Sequence, residues 1–292
     1  MKTIKTSCTA SAPRLLGQRG VALVAVLWVV AALSILVTGL VQTQREEIRS
    51  AASARIRLQA DAVGQGAIHM AVQTLIQQSQ RRERLSRIKV SYDGVEVQVE
   101  VQPFSGLVDV NLAPMPLLAA LFSVNGGLDV EIATRLAAAV VALREARPAG
   151  PPPRFRAPEE LLAVEGVDYD LYARLAHLVT TDSRGSGRIN PLAAPAGVLL
   201  LLADGDQSLA SRVAAERDAE VAGMDTTRLQ AAFIDLSVSG RLRFRAFVPA
   251  PDGSEVIVVR DIDLSFASEG TAPWRTMRTH APVMSLKQGG SS

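Results

Sequence analysis

The chain has 292 residues, of which 48% are hydrophobic and 21% charged, with a formal net charge of +2 at pH 7. That is enough apolar material for a real core, which excludes a disordered chain, and the near-neutral balance gives no bulk attraction for a polyanion. Aromatic residues are 4% of the chain, too few for a base-stacking surface. Its one cysteine, Cys8, excludes an intrachain disulfide and a two-cysteine zinc site.

The N-terminal segment, residues 1–20, carries Lys2, Lys5, Arg14 and Arg19 and no acidic residue. From Val21 to Val41 there is no charge. A run of that length matches the ~20 residues a helix needs to cross a bilayer, so a single transmembrane helix is expected over 21–42. The basic flank keeps the N-terminus cytoplasmic and sends the bulk of the chain across the membrane. A cleaved secretory signal fits less well. The run exceeds the ~7–15 residues of such a core, and it ends in Gln42-Thr43-Gln44-Arg45-Glu46-Glu47 without a small-x-small cleavage site. Arg19-Gly20 directly before the run suits a peptidase that cuts on the cytoplasmic side and leaves the apolar helix attached.

A stem helix is expected over 43–80. Ile48, Ala52, Ile56, Ala60, Val63, Ala67 and Met70 recur every three or four residues and form one apolar stripe. Gly64 and Gly66 weaken the pattern, leaving open one long helix to about Gln78 or two helices with a break at Gly64-Gln65-Gly66. Next, Ile88, Val90 and Tyr92 alternate with polar residues, Asp93-Gly94 is a two-residue turn signal, and Val95, Val97, Val99 and Val101 alternate after it. This is a hairpin. Leu242, Phe244, Ala246 and Val248 form another alternating run, then a turn at Pro249 to Gly253 and a strand through Val256, Val258, Ile262 and Leu264. Residues 85–104 and 237–268 are expected to supply the strands of a small antiparallel sheet, and 269–292 lack a pattern and are expected to be a flexible tail.

Between the two parts of the sheet, residues 105–236 are expected to form an inserted α-helical domain. It holds an internal repeat: Val110-Asn111-Leu112-Ala113-Pro114 before an apolar helix from Leu117 to Phe122, and Ile189-Asn190-Pro191-Leu192-Ala193-Ala194-Pro195 before Val198 to Leu202. In each, Asn is expected to cap or turn the chain and Pro to start the helix. Glu160-Leu161-Leu162 and Gly166 lead into a further helix carrying Leu171, Leu175 and Leu178. The fold class expected is α+β: a long N-terminal helix packed on a small antiparallel sheet, with a large helical insert.

No catalytic set is visible. His69, His177 and His280 are isolated in sequence, and no nucleophile elbow, HExxH or phosphate-binding loop occurs. Two acidic pairs near turns, Asp168 with Asp170 and Asp204 with Asp206, are the candidate calcium ligands, because calcium takes hard carboxylate oxygens, although neither has the spacing of an EF-hand loop.

Arg19-Gly20-Val21-Ala22-Leu23 and the apolar helix after it resemble the leader junction of type IV pilins and type II secretion pseudopilins. The resemblance implies cleavage by a prepilin peptidase between Gly20 and Val21 and methylation of the new N-terminus. Most members have glutamate at the fifth mature position, where this chain has Ala25. Together with the helical insert, that departure resembles the K-type minor pseudopilins of the type II secretion system. Such a resemblance implies a non-enzymatic, single-pass subunit of the bacterial inner membrane with its bulk in the periplasm. Its partners would be the I- and J-type minor pseudopilins and the major pseudopilin, at the tip of a pseudopilus. Family members bind calcium in the helical domain, which raises calcium as a ligand here. The alternative is a membrane-anchored helix-hairpin-helix receptor for DNA uptake. From Ser105 to Gly240 there are 11 arginines and no lysine against 17 acidic residues, a net charge of −6, whereas phosphate binding needs the opposite sign.

Overall fold

The computed structural model describes residues 18–77, 83–146, 155–221, 223–251, 253–265 and 273–285, with side chains along the first helix described at 23–34, 51 and 53–77. The chain divides into two units, Met1–Ile56 and Arg57–Ser292. Of the expected leader, 1–20, residues 1–17 lie outside the described residues.

Helix α1 runs Gln18–Gln77 without interruption. In the first unit its side chains from Leu23 to Leu33 are apolar on every side and exposed, Leu23 at 71% and Trp28 at 72%. Among the described residues no helix is long and apolar enough to cross a membrane. The side chains at 21–22 and 35–42, which complete the expected span, lie outside those residues.

In the second unit α1 buries Ala60, Ala67, Ile68, Ala71, Val72 and Leu75. Their spacing is one face at helical period, and it corrects the expected stripe. Met70 is 42% exposed and falls off the face, while Gly64 lies on it. No break occurs at Gly64-Gln65-Gly66, because the glycines serve packing. A Cβ on Gly64 would lie 2.7 Å from Val258 Cγ2 and 2.8 Å from Val258 Cβ, so the helix lies almost directly on the sheet there. A Cβ on Gly66 would lie 2.3 Å from the Tyr92 ring. Gly64→Ala is therefore expected to lower unfolding stability by about 1–3 kcal/mol, the usual cost of overpacking, despite its better helix propensity. Gly66→Ala should cost less, because the half-exposed Tyr92 ring can swing aside. Equilibrium denaturation of both variants measures this, and a stabilised Gly64→Ala protein would contradict the close approach.

The sheet runs β1 (Ser86–Tyr92), β2 (Val95–Pro103), β5 (Arg241–Pro249), β6 (Glu255–Asp263) and β7 (Arg275–Thr279), with β8 (Val283–Ser285) also on β6. Strands β1 (Ser86–Tyr92) and β2 (Val95–Pro103) form the expected hairpin, Tyr92 opposite Val95. Asp93 and Gly94 have φ of 51° and 73°, the double positive φ of a type I′ turn. β5 (Arg241–Pro249) pairs with both β2 and β6 (Glu255–Asp263), all antiparallel. Val97, Val99, Val101, Leu242, Phe244, Ala246, Val248, Val256, Val258 and Ile262 are buried. The close approach of Gly64 to Val248 and Val258 identifies theirs as the face under α1. Residues 269–292, expected to be a patternless tail, instead carry β7 (Arg275–Thr279) and β8 (Val283–Ser285), both on β6. Both strands are short and none of their residues is fully buried, so they lack the hydrophobic alternation that marks a strand in sequence.

The insert leaves the sheet after β2 and returns at β5, with Pro103 opposite Leu242. It contains α2 (Met115–Ala120), continued as a π turn to Asn125, then α3 (Val130–Ala146), α4 (Tyr169–Leu175), α5 (Ala196–Leu202) and α6 (Gln207–Asp218). A two-stranded parallel sheet joins β3 (Val108–Asp109) to β4 (Val179–Thr180) within it. One core gathers Leu117, Phe122, Leu136, Leu161, Leu175 and Leu199 among others. The repeat is real in that Pro114 and Pro195 stand at the N-caps of α2 and α5. The asparagines do not cap these helices. Asn190 makes a turn, its Oδ1 accepting from Leu192 N–H at 3.0 Å. Asn111 instead ties together segments distant in the chain, Phe155 and Thr181.

Candidate functional site, a charged seam under the insert

Alternation along β5 places Arg241, Arg243 and Arg245 on the face of the sheet opposite α1. The register sets Arg241 across from Asp263, Arg243 from Asp261, and Arg245 from Glu100 on β2. Arg243 donates through Nε to Asp261 Oδ1 at 2.8 Å and through Nη2 to Oδ2 at 3.2 Å, a bidentate pair with both side chains buried. Its guanidinium also lies 5.6 Å from the centre of the Phe104 ring. Arg241 Nε donates to Asp263 at 3.2 Å. Arg245 and Arg87 reach Glu100, each at 3.4 Å. A fourth pair faces the other way, where Arg260 Nη2 meets Asp61 of α1 at 2.7 Å.

The insert sits on these pairs through polar contacts. Arg241 donates to the carbonyl of Asp182 at 3.2 Å and pairs with the Asp182 carboxylate. Ser239 Oγ donates to Ser183 O at 3.1 Å. Ser183 in turn donates N–H and Oγ to Asp109 Oδ2, each at 2.7 Å, and Asn111 N–H donates to Asp109 Oδ1 at 2.9 Å. Asp109 is 2% exposed. Burial pushes its carboxyl above the usual range, against the lowering by the Ser183 and Asn111 hydrogen bonds. Asn111 accepts from Phe155 N–H at 2.8 Å and donates to Phe155 O at 2.9 Å and Thr181 O at 2.7 Å. One side chain thus holds the loop before α2 to two strands of backbone far along the chain.

At the outer end of the seam, His280 Nε2 lies 3.1 Å from Asp261 Oδ2. Burial raises the Asp261 pKa, but hydrogen bonds from His280 and Arg243 outweigh it and hold the carboxyl below its ordinary value. Arg278 of β7 reaches Glu159 at 3.2 Å and donates to the carbonyl of Arg156 at 3.1 Å. A cleft of about 190 Å³ opens here, lined by Phe104, Arg156, Asp182, Arg243, Asp261 and Met277 among others. His177 lies in the field of Arg245 and Arg243, and burial first and those charges second lower its pKa. His69 stacks obliquely on Trp274 at 6.1 Å. The three histidines are thus in three separate places.

The calcium candidates are not brought together. Asp168 N-caps α4, accepting Leu171 N–H at 2.7 Å, and Asp170 lies in that helix's first turn. Asp206 N-caps α6, accepting from Ser208 N–H at 2.9 Å and Leu209 N–H at 3.0 Å. Asp204 has φ of 55° and accepts from Gln230 Nε2 at 3.0 Å. Aspartate near a turn is what a helix start requires, and that accounts for Asp168 and Asp206. Among the described residues no group of three or more His, Cys, Asp or Glu side chains could hold a metal ion. Gly20 and Val21 have their backbone in the first turn of α1, and their side chains lie outside the described residues.

Sequence reasoning misses the seam, although its signal is present: Arg-x-Arg-x-Arg at 241–245 and Asp-x-Asp at 261–263 alternate with the apolar residues that define the strands.

No family model matches the chain, and no curated protein matches it. Among solved structures, it is similar to one chain of the crystal structure of the GspK-GspI-GspJ complex from the type 2 secretion system of enterotoxigenic Escherichia coli. The two are 14% identical with a TM-score of 0.44, and the likeness covers 83% of this chain and 99% of that one.

Proposed function

We propose that this chain is a K-type minor pseudopilin of a type II secretion system. In this reading it is a non-enzymatic subunit held in the bacterial inner membrane by the N-terminal part of α1, with its bulk in the periplasm. The observation that carries the reading is the exposed, all-round apolar stretch of α1 from Leu23 to Leu33, within the uncharged run that follows Arg19-Gly20. A helix apolar on every side needs an apolar medium. It joins the I- and J-type minor pseudopilins at the tip of a pseudopilus of the major pseudopilin, initiates it, and supports export across the outer membrane.

Ala25 supports the tip position. A glutamate at that place can neutralise a neighbour's N-terminal amine inside the apolar shaft, since a buried, unpaired ammonium is costly. Alanine cannot supply that carboxylate, and a terminal subunit has no need to. The acidic insert, with Arg241 and Arg243 buried against aspartates, favours this reading over a DNA receptor.

The test is the N-terminal sequence of the protein isolated from membranes. Cleavage by a prepilin peptidase gives a chain beginning at Val21, and Gly20→Arg leaves the full precursor. A protein that still begins at Met1, or one cut near Gln44, would end this reading.

A further inference from the structure

The outer edge of β6 is covered in two pieces. β7 pairs with Arg260–Asp263 and β8 with Glu255–Ile257. The chain leaves the edge between them at Ala281-Pro282, where proline has no N–H to offer a ladder. β7 is also irregular. Asp263 faces Arg275 and Ile262 faces Thr276, but Asp261 faces Arg278, so Met277 is bulged out of register. Arg275, Thr276, Thr279 and Val283 are exposed, so the segment buries little of itself. Its side chains hold it mainly through Arg278 on Glu159 and the Arg156 carbonyl, His280 on Asp261, and Trp274 beside the His69 ring. A segment of low burial on a nine-residue strand edge opens at small cost.

We propose that this edge is a strand-exchange site. The C-terminal strap, residues 273–285, occupies it in the isolated chain, and an extended segment of a partner protein with basic residues two positions apart displaces it. An unbulged strand of that kind would set its two cations opposite Asp263 and Asp261 in continuous register. It would also pair past the point where Pro282 interrupts the strap. The main-chain ladder supplies the affinity and the two aspartates the choice of sequence. Opening the strap also uncovers Arg243 and the cleft beside Met277. This goes beyond the assembly role above and stands whether or not that reading holds.

The probe is a fluorescent peptide of residues 273–280 with Met277 omitted, which restores regular register, and binding is read by anisotropy. A chain ending at Ala272 is expected to bind it at least about tenfold more tightly than the intact chain, with the intact-length double variant Arg278→Ala/His280→Ala in between. A second peptide carries glutamate in place of both arginines and is expected not to bind. If the shortened chain does not fold, the double variant decides the matter alone. Binding by the double variant no tighter than by the intact chain overturns the proposal. So does equal binding of the glutamate peptide.

Discussion

Arg243→Ala is expected to lower unfolding stability by about 3–5 kcal/mol, the usual cost of removing one member of a buried ion pair. The loss is not the worth of the pair. It is the penalty of leaving Asp261 buried with His280 as its remaining ring partner and without the bidentate guanidinium. Two further proteins separate these ideas. Asp261→Ala alone should be similarly costly, because Arg243 is then stranded beside Phe104. Arg243→Met combined with Asp261→Leu removes both charges and keeps the bulk, so it should recover much of the loss. Denaturant titration reads all three as shifts of midpoint. A shift below about 1 kcal/mol for Arg243→Ala would mean that water reaches the seam.

Asn111→Ala is the second large effect. It removes three hydrogen bonds at once, those to the N–H and C=O of Phe155 and to the C=O of Thr181. At about 1 kcal/mol net for each hydrogen bond lost, a loss of about 3 kcal/mol is expected. Asn111→Asp keeps the acceptor for Phe155 N–H and loses both donors, so it should fall between alanine and wild type. Asn190→Ala should cost less, since its side chain holds Ser237 O and Leu192 N–H. Equal melting temperatures for the two alanine variants would show that Asn111 is only another turn residue.

The features legible in the sequence are those that short-range chemistry dictates. Asp93-Gly94 between two alternating valine runs specifies a hairpin and its register, because a type I′ turn leaves little choice. Proline at positions 114 and 195 marks two helix starts for the same kind of reason. Expectation and structure part where long-range packing decides. Met70 fits the helical period as well as Gly64 does, but only the sheet beneath α1 makes glycine the inward residue. Asn111 looks like a cap until Phe155 and Thr181 are brought to it from far along the chain. The arginines of β5 alternate with its apolar residues, but the sequence does not say that an insert will cover them. The aspartates at 168 and 206 have two chemically sound uses, metal ligand and helix cap, and sequence spacing does not choose between them.

Because Pro103 and Leu242 are paired neighbours, everything between them is, to the sheet, a loop joining two adjacent antiparallel strands. Loop-closure entropy grows only logarithmically with length, about 0.6 kcal/mol per doubling, so the sheet is nearly indifferent to what that loop contains. Where the insert meets it, the face beneath carries paired opposite charges, Arg241 with Asp263 and Arg243 with Asp261. Such a face stays soluble when bare. The helical domain is therefore a replaceable module: a short turn in its place is expected to leave the strand order intact and to uncover a charged seam.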